Sequence, residues 1–153
     1  MYENANIETI ARGVLVRAGH LLVCQPKAGG RCYLPGGHIE FGEGARQALA
    51  REIREELGLE AQVGDFLAVA ENAFEQQGEE HCEINLLFAL DIPALAPPPA
   101  ELTACEAWIA FRWVPFTEAA LREARLLPAH LIADLPRFLA KPGQHVFVPA
   151  PGA

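Results

Sequence analysis

Three glutamates lie close together between residues 52 and 56 of this chain. If the stretch is helical, Glu52, Glu55 and Glu56 occupy positions i, i+3 and i+4, which share one side of the helix. Like charges at this spacing destabilise a helix by roughly 0.2–0.5 kcal/mol per pair. Carboxylate oxygens are the protein ligands that Mg²⁺ takes, but glutamates are also common on solvated surfaces. The three residues therefore allow two interpretations, a hard-cation site or an ordinary solvated face.

The residues around the glutamates predict the helix that carries them. Apolar residues recur every fourth position and form one face: Ala45, Leu49, Ile53 and Leu57. The pattern predicts a helix that begins near Gly44 and ends at Gly58, a residue typical of a C-terminal cap. The apolar face is committed to the core, so the glutamates are expected on the opposite side.

A glycine-containing loop precedes this predicted helix. It runs from Leu34 to Glu43 and includes Gly36, Gly37 and His38. Glycine lets the backbone approach a ligand closely, and the start of a helix favours an anion. Gly36, Gly37 and His38 are therefore candidates for contact with a substrate phosphate.

The loop and the helix together carry a recognisable pattern. The string reads Gly37, five residues, Glu43, seven residues, Arg51-Glu52-Ile53, one residue, Glu55-Glu56, one residue, Gly58-Leu59. It resembles the Nudix box, the metal-binding loop–helix–loop of the Nudix hydrolase superfamily, and all nine constrained positions within its 23 residues match. The resemblance implies a small, MutT-like member, with one Nudix domain over residues 1–153 and its box at 37–59.

The resemblance also implies a metal site. Glu52 and Glu56 would be the main ligands, and Glu55 would hold a second ion or a bound water. The carbonyl of Gly37 would be a further ligand. The expected cation is Mg²⁺ or Mn²⁺, which neutralises the charge of a diphosphate and activates an attacking water.

Two further roles follow from the resemblance. Glu43 would pair with Arg51 and hold the loop against the helix. The general base that takes a proton from water lies outside the box in parts of the family and is a box glutamate, here Glu55, in others. The candidates outside the box, with the first two ranked highest, are Glu83, Glu80, Glu75 and Glu79.

The implied activity is hydrolysis of a nucleoside diphosphate linked to another group X, giving a nucleotide and phosphorylated X. Nucleoside triphosphates, ADP-ribose-like compounds and nucleotide sugars are all candidate substrates. A proline is often found about sixteen residues after the box in members that act on ADP-ribose, and Glu75 occupies that position here. A nucleotide-binding regulator without turnover and an isomerase are the alternatives, but the intact box favours hydrolysis.

The rest of the pattern predicts an α+β protein. Strands are expected within residues 7–24, with a hairpin turn at Gly19, and over 63–70, 83–90 and 108–114. Residues 25–38 and 75–80 are expected to be loops, and helices are expected near 118–125 and 128–139. The resemblance implies an α/β/α sandwich with a central mixed β-sheet.

Composition excludes several other classes of protein. The 153 residues carry a net charge of −8, which disfavours binding to a nucleic-acid polymer. No apolar run is long enough to cross a membrane, and the first residues do not resemble a secretory signal. Four cysteines without a CxxC pair favour free, buried thiols in a reduced cytoplasmic compartment. Many Nudix proteins are homodimers, although this sequence itself indicates no interface.

Overall fold

The computed structural model describes residues 6–144 and 146–152. The strands are β1 (Ile7–Val14), β2 (Val16–Arg17), β3 (His20–Pro26), β4 (Cys32–Tyr33), β5 (Gly36–His38), β6 (Gln62–Gln76), β7 (Glu79–Asp91), β8 (Ile109–Pro115), β9 (Leu126–Leu127) and β10 (Phe147–Val148). The helices are α1 (Ala45–Leu57), α2 (Glu118–Glu123) and α3 (Leu135–Ala140), with a 3-10 turn at Ala129–Leu131. Over the described ranges, none of these helices has the length and apolar character needed to span a membrane.

The strands form two sheets. The first has the order β10-β6-β7-β1-β5, and it is mixed because β1 runs parallel to β7 while β6 runs antiparallel to it. The second has the order β2-β3-β4-β9, and β8 pairs with β3. The mixed sheet expected from the sequence is therefore confirmed.

Two apolar clusters fill the space on either side of the strands. One cluster includes Leu49 and Ile53 of α1, and the other includes Leu121 of α2 and Phe138 of α3. Strand β3 contributes side chains to both clusters, because successive side chains of a strand point to opposite faces. Leu22, for example, belongs to the cluster that contains Leu49 and Ile53. Helices thus cover both faces of the β-layer, which confirms the α/β/α sandwich.

The strongest local signals in the sequence are confirmed. The turn between β2 and β3 places Ala18 and Gly19 at φ 47° and 71°, as a tight hairpin requires. Helix α1 ends at Gly58, whose φ is 67° and whose N–H donates to the carbonyl of Arg54 at 2.9 Å. Both features depend on a few neighbouring residues, so a single sequence is sufficient to predict them.

The expectation of a loop over 25–38 is confirmed for residues 27–31 and 34–35 and wrong for the rest. The segment contains the end of β3 and the short strands β4 and β5. Strand β5 pairs antiparallel with β1, so that Gly37 lies opposite Ala11 and Gly36 opposite Arg12. Glycine and proline lower the strand propensity of this segment, so the sequence predicts a loop. The segment becomes a strand because it pairs with the distant strand β1.

Other expected boundaries also need correction. The expected loop 75–80 is largely strand, because β6 and β7 form a long hairpin that turns only at Gln77 and Gly78, with φ 56° and 81°. The single helix expected over 128–139 is a 3-10 turn followed by α3, and α2 ends two residues early. Arg125 follows α2 at φ 60°, a conformation that cannot continue a right-handed helix.

Candidate functional site

Helix α1 holds its three clustered glutamates in different environments. Glu56 is 5% exposed, whereas the side chains of Glu52 and Glu55 are 18% and 50% exposed. Glu56 is buried because the loop before β8 packs against it, whereas Glu55 faces solvent. The expectation that all three glutamates lie opposite the buried face of the helix is therefore wrong for Glu56.

Arg51 ties the preceding loop to α1. Its Nη2 donates to Glu43 Oε1 at 2.6 Å and its Nε to Glu43 Oε2 at 3.1 Å, and Nη2 also reaches the carbonyl of His38 at 3.1 Å. Its Nη1 donates to Glu52 at 2.9 Å and to Glu55 at 3.2 Å. The hydrogen bond from Arg51 lowers the pKa of Glu43, and the partnership with Glu43 raises the pKa of Arg51. The ion pair expected between these two residues is present.

Glu56 is a buried carboxylate with an unused oxygen. Its Oε2 has no hydrogen-bond partner among the described residues. Burial raises the pKa of Glu56 to about 8, with further contributions from the charges of Glu52 and Glu106. A buried carboxyl group in such a place either stays protonated or, when ionised, needs a cation to offset its charge.

Glu106 is a site residue that sequence reasoning missed. It belongs to the loop before β8, where the backbone N–H of Cys105 donates to the carbonyl of Glu56 at 2.7 Å. This contact brings a fourth acidic residue close to α1 across about 50 positions of sequence. No local pattern around Glu106 signals the approach.

The glycine loop is packed tightly against its neighbours. A Cβ added to Gly37 would lie 2.6 and 2.7 Å from the carboxylate oxygens of Glu52, so only glycine leaves room for that carboxylate. Gly36 has φ +133° and its Cβ would overlap the carbonyl oxygen of Ala11. His38 lies at the exposed end of β5, with its Nε2 3.6 Å from Glu8.

The residues of α1 suit a hard divalent cation, although they are not assembled around one. Among residues 6–144 and 146–152, no three His, Cys, Asp or Glu side chains converge into a ready metal site. Glu52 and Glu55 instead pair with Arg51. Two features fit Mg²⁺ or Mn²⁺: the unpartnered Oε2 of Glu56 and the all-oxygen donor set.

Two neighbouring depressions lie near this helix, and three residues line both of them. A cleft of about 160 Å³ contains Glu56, and a larger cavity of about 610 Å³ lies beside it. Arg12, Pro26 and Tyr33 line both. The guanidinium of Arg12 donates to the carbonyls of Leu34 and Gly36 and counters the raised pKa of Glu56.

Glu83 lies in the larger cavity, within β7 and not at its start as the sequence suggested. Its Oε2 accepts hydrogen bonds from the amides of Asn72 and Asn85 at 3.1 and 3.2 Å. The other carboxylates ranked as general bases outside the box are exposed near the far end of the β6–β7 hairpin: Glu75, Glu79 and Glu80. The structure does not bring those three to the box helix.

The cysteines divide into two groups. Cys24 and Cys32 are buried, and burial raises the pKa of Cys24 to about 12. Cys82 and Cys105 are exposed, so the expectation that the cysteines are all packing residues is wrong for these two. All four are free thiols, as the absence of a CxxC pair predicted.

Comparison with known families decides the assignment. The model of the NUDIX domain matches residues 8–135. The chain belongs to the Nudix family. That match includes the whole box and the strands on which Arg12, Asn72 and Glu83 lie.

Curated Nudix relatives match part of this chain. A putative 8-oxo-dGTP diphosphatase 2 of Mycobacterium tuberculosis is 42% identical over 73 residues, which cover 40% of this chain and 52% of the relative. The CTP pyrophosphohydrolase of Escherichia coli is 44% identical over 66 residues, which cover 40% of this chain and 48% of the relative. The chain thus spans about half the length of the curated relatives it matches.

Solved structures confirm the Nudix fold over most of the chain. The E. coli ORF135 protein aligns with a TM-score of 0.57 and 28% identity, covering 89% of this chain and 91% of that one. A MutT protein from Methanosarcina mazei aligns with a TM-score of 0.64 and 21% identity, covering 91% and 97%. At 21% identity the second likeness supports the fold alone.

Proposed function

We propose that this Nudix protein is a hydrolase that depends on a divalent cation and cleaves the diphosphate linkage of a nucleoside diphosphate bonded to another group. The proposal takes residues 1–153 as one domain. It names Mg²⁺ or Mn²⁺ as the cation and a small nucleotide as the substrate, with no nucleic-acid polymer and no membrane involved.

The unpartnered buried carboxylate of Glu56 is the observation that carries the proposal. A buried acid does not stabilise a fold when its Oε2 has no hydrogen bond and its ionised form is disfavoured. Such groups are retained where chemistry needs them. The family membership of the chain supplies that chemistry, because Glu56 belongs to an intact box.

The constrained charged residues of the box and Gly37 each have a role in the proposed reaction. Glu52 and Glu56 would hold the cation, the carbonyl of Gly37 would be a further ligand, and Glu55 would hold a water near it. The cation, when bound, neutralises the diphosphate charge and lowers the pKa of water.

Residues of the chain perform the remaining tasks. Arg51 positions the glutamates through its bonds to the loop residue Glu43 and to α1. Arg12 lies at the junction of the two depressions, where its guanidinium would bind a phosphate. Glu55 is half exposed and is the proposed general base, which accepts the proton of the attacking water.

Nucleoside triphosphates are the first substrates to examine. The two curated relatives are named for 8-oxo-dGTP and CTP, and each is named as acting on a triphosphate. A cavity of about 610 Å³ lies within the range typical of small-molecule sites and adjoins the cleft that holds Glu56. Removal of pyrophosphate from such a nucleotide is the reaction we expect.

The test is a release assay for phosphate, pyrophosphate and nucleotide with Mg²⁺ and then Mn²⁺. The panel contains the nucleoside triphosphates and their 8-oxo forms, ADP-ribose, nucleotide sugars and dinucleoside polyphosphates. Glu56→Gln is the inactive reference, and Glu123→Gln, the same change at an exposed site on α2, is the matched control.

The expected result is cation-dependent turnover that Glu56→Gln reduces by at least about 10³-fold and Glu123→Gln leaves unchanged. Turnover that survives Glu56→Gln would contradict the assigned site. Nucleotide binding without any turnover would favour the non-catalytic regulator.

A further inference from the structure

A cluster of three polar side chains lines the larger cavity, and the proposed hydrolysis does not use them. Glu83 and Asn85 lie two residues apart on β7, so their side chains share one face, and Asn72 lies directly opposite Glu83 on β6. All three line the cavity, and Asn85 is only 1% exposed. Glu83 does not line the cleft that contains Glu56.

The hydrogen bonds of this cluster fix which atoms remain for a ligand. Both amides place nitrogen, not oxygen, against the carboxylate, because an amide oxygen in that position would be repelled. Two N–H groups occupy Glu83 Oε2, which leaves Oε1 as a negatively charged acceptor. The oxygen of Asn72, which is less buried than Asn85, is an additional acceptor. The cluster therefore complements a ligand edge with adjacent N–H donors.

Among the nucleobases, guanine has such an edge. Its ring N–H lies beside its exocyclic amine, so two donors point in the same direction. Adenine and cytosine place an acceptor nitrogen beside the amine, and uracil flanks its N–H with two carbonyl oxygens. A carboxylate repels each of those acceptors.

The surroundings of the cluster suit a nucleotide. Tyr33 and Phe74 line the same cavity, and aromatic side chains can stack on a base. One face of Phe74 is already stacked on His81, with ring centroids 5.0 Å apart, so a base would use the other face. Arg31 and Arg125 also line it and offset the negative charge of the chain for an anionic ligand. Arg12 connects the cavity to Glu56, so a base in the cavity would direct its phosphates toward the box helix.

We propose that Glu83, held by Asn72 and Asn85, determines specificity by binding the donor edge of a guanine base, and that it is not the general base. This inference rests on the proposed function for the orientation of the nucleotide. The binding of the base itself does not require hydrolysis.

The first measurement is calorimetric titration of the full chain, in EDTA, with GMP, IMP, AMP, CMP and UMP. GMP should bind at least about 10-fold more tightly than AMP, CMP or UMP, and IMP should be intermediate because it lacks the exocyclic amine. Glu83→Gln should weaken GMP binding roughly 10- to 100-fold and leave AMP, CMP and UMP within about threefold. Asp65→Asn, the same change at an exposed position of β6, should alter none of them.

The second measurement separates base recognition from proton transfer. Steady-state turnover of GTP and CTP by Glu83→Gln should show a loss of kcat/KM confined to GTP. A fall of kcat by the same factor for both nucleotides would identify Glu83 as the general base and overturn the inference, as would GMP affinity that the variant leaves unchanged. If Glu83→Gln does not fold, Asn72→Ala should show the same selective loss of GMP affinity at smaller magnitude. If Asn72→Ala instead binds every nucleotide as tightly as the parent does, the proposal is overturned.

The outcome also distinguishes this inference from the proposed function. A guanine preference without turnover of any substrate would support the base site and refute the hydrolase. Turnover without preference among the bases would support the hydrolase and refute the base site.

Discussion

Replacing Gly37 with alanine should lower activity about 10²-fold while leaving the fold intact. The added Cβ would lie 2.6 and 2.7 Å from the two carboxylate oxygens of Glu52, whereas carbon–oxygen contacts are normally about 3.3 Å or longer. The carboxylate must therefore retreat by roughly 0.6–1 Å, and a shift of that size at a reacting centre can cost about 10²-fold in rate.

The stability cost of Gly37→Ala should be small for two reasons. The atoms that must move are the end of the partly exposed Glu52 side chain, which can change rotamer, and no positive φ is required at Gly37. Alanine also restricts the unfolded chain, which stabilises the protein by about 0.4–1 kcal/mol. We expect the free energy of unfolding to change by less than about 1 kcal/mol.

The assay pairs urea unfolding with steady-state turnover for Gly37→Ala and for the control Gly44→Ala. A Cβ at Gly44 would lie 3.4 Å from Gln47 Oε1, an ordinary contact, and its φ of −85° suits alanine. The control should keep activity within about twofold. Full activity in Gly37→Ala would refute the argument, because it would mean that the position of the Glu52 carboxylate does not matter.

Three further substitutions test other contacts of the site. In EDTA, the stability of the parent relative to Glu56→Gln should fall as pH rises from the ordinary glutamate pKa of 4.5 toward about 8, because the buried acid must then ionise. Urea unfolding should show a loss on the order of 4 kcal/mol between pH 5 and pH 9. A difference in stability that does not change with pH would contradict the burial of Glu56. Gly36→Ala should destabilise the protein by more than about 3 kcal/mol, because Gly36 has φ +133° and an added Cβ would overlap the backbone carbonyl of Ala11, which cannot move aside. A soluble variant of normal Tm would show that the loop relaxes. Arg51→Lys should lower kcat at least about 10-fold and the free energy of unfolding by about 1–2 kcal/mol, because one ammonium group cannot bind both Glu43 and the glutamates of α1. Unchanged kcat and unchanged stability would show that the guanidinium of Arg51 is not needed.

The periodicity of α1, its terminal Gly58 and the hairpin turn at Gly19 were all predictable from the sequence. Each depends on residues within one or two helical turns or within one tight turn, so the physical cause lies in adjacent positions. The box pattern between Gly37 and Leu59 is local in the same sense. These signals were enough to indicate the family and the glutamates on which the proposed chemistry depends.

The different environments of those glutamates came only from tertiary packing. Periodicity places Glu52, Glu55 and Glu56 on one side of a helix, but the loop before β8 and the cleft lined by Arg12 make Glu56 the buried one. The charge of Glu106 helps to raise the pKa of Glu56 from a position about 50 residues away in the sequence, which no local pattern predicts.

The cluster around Glu83 arises from strand register. Asn72 meets Glu83 because β6 and β7 pair in one alignment, and a shift of one residue would turn the side chains of one strand to the other face of the sheet. A sequence specifies which strands are apolar or polar, but the register and the packing of the two sheets are settled by the sum of many distant contacts. The residue types that could do chemistry were therefore visible in the sequence, while which of them share a cavity was decided by the tertiary fold.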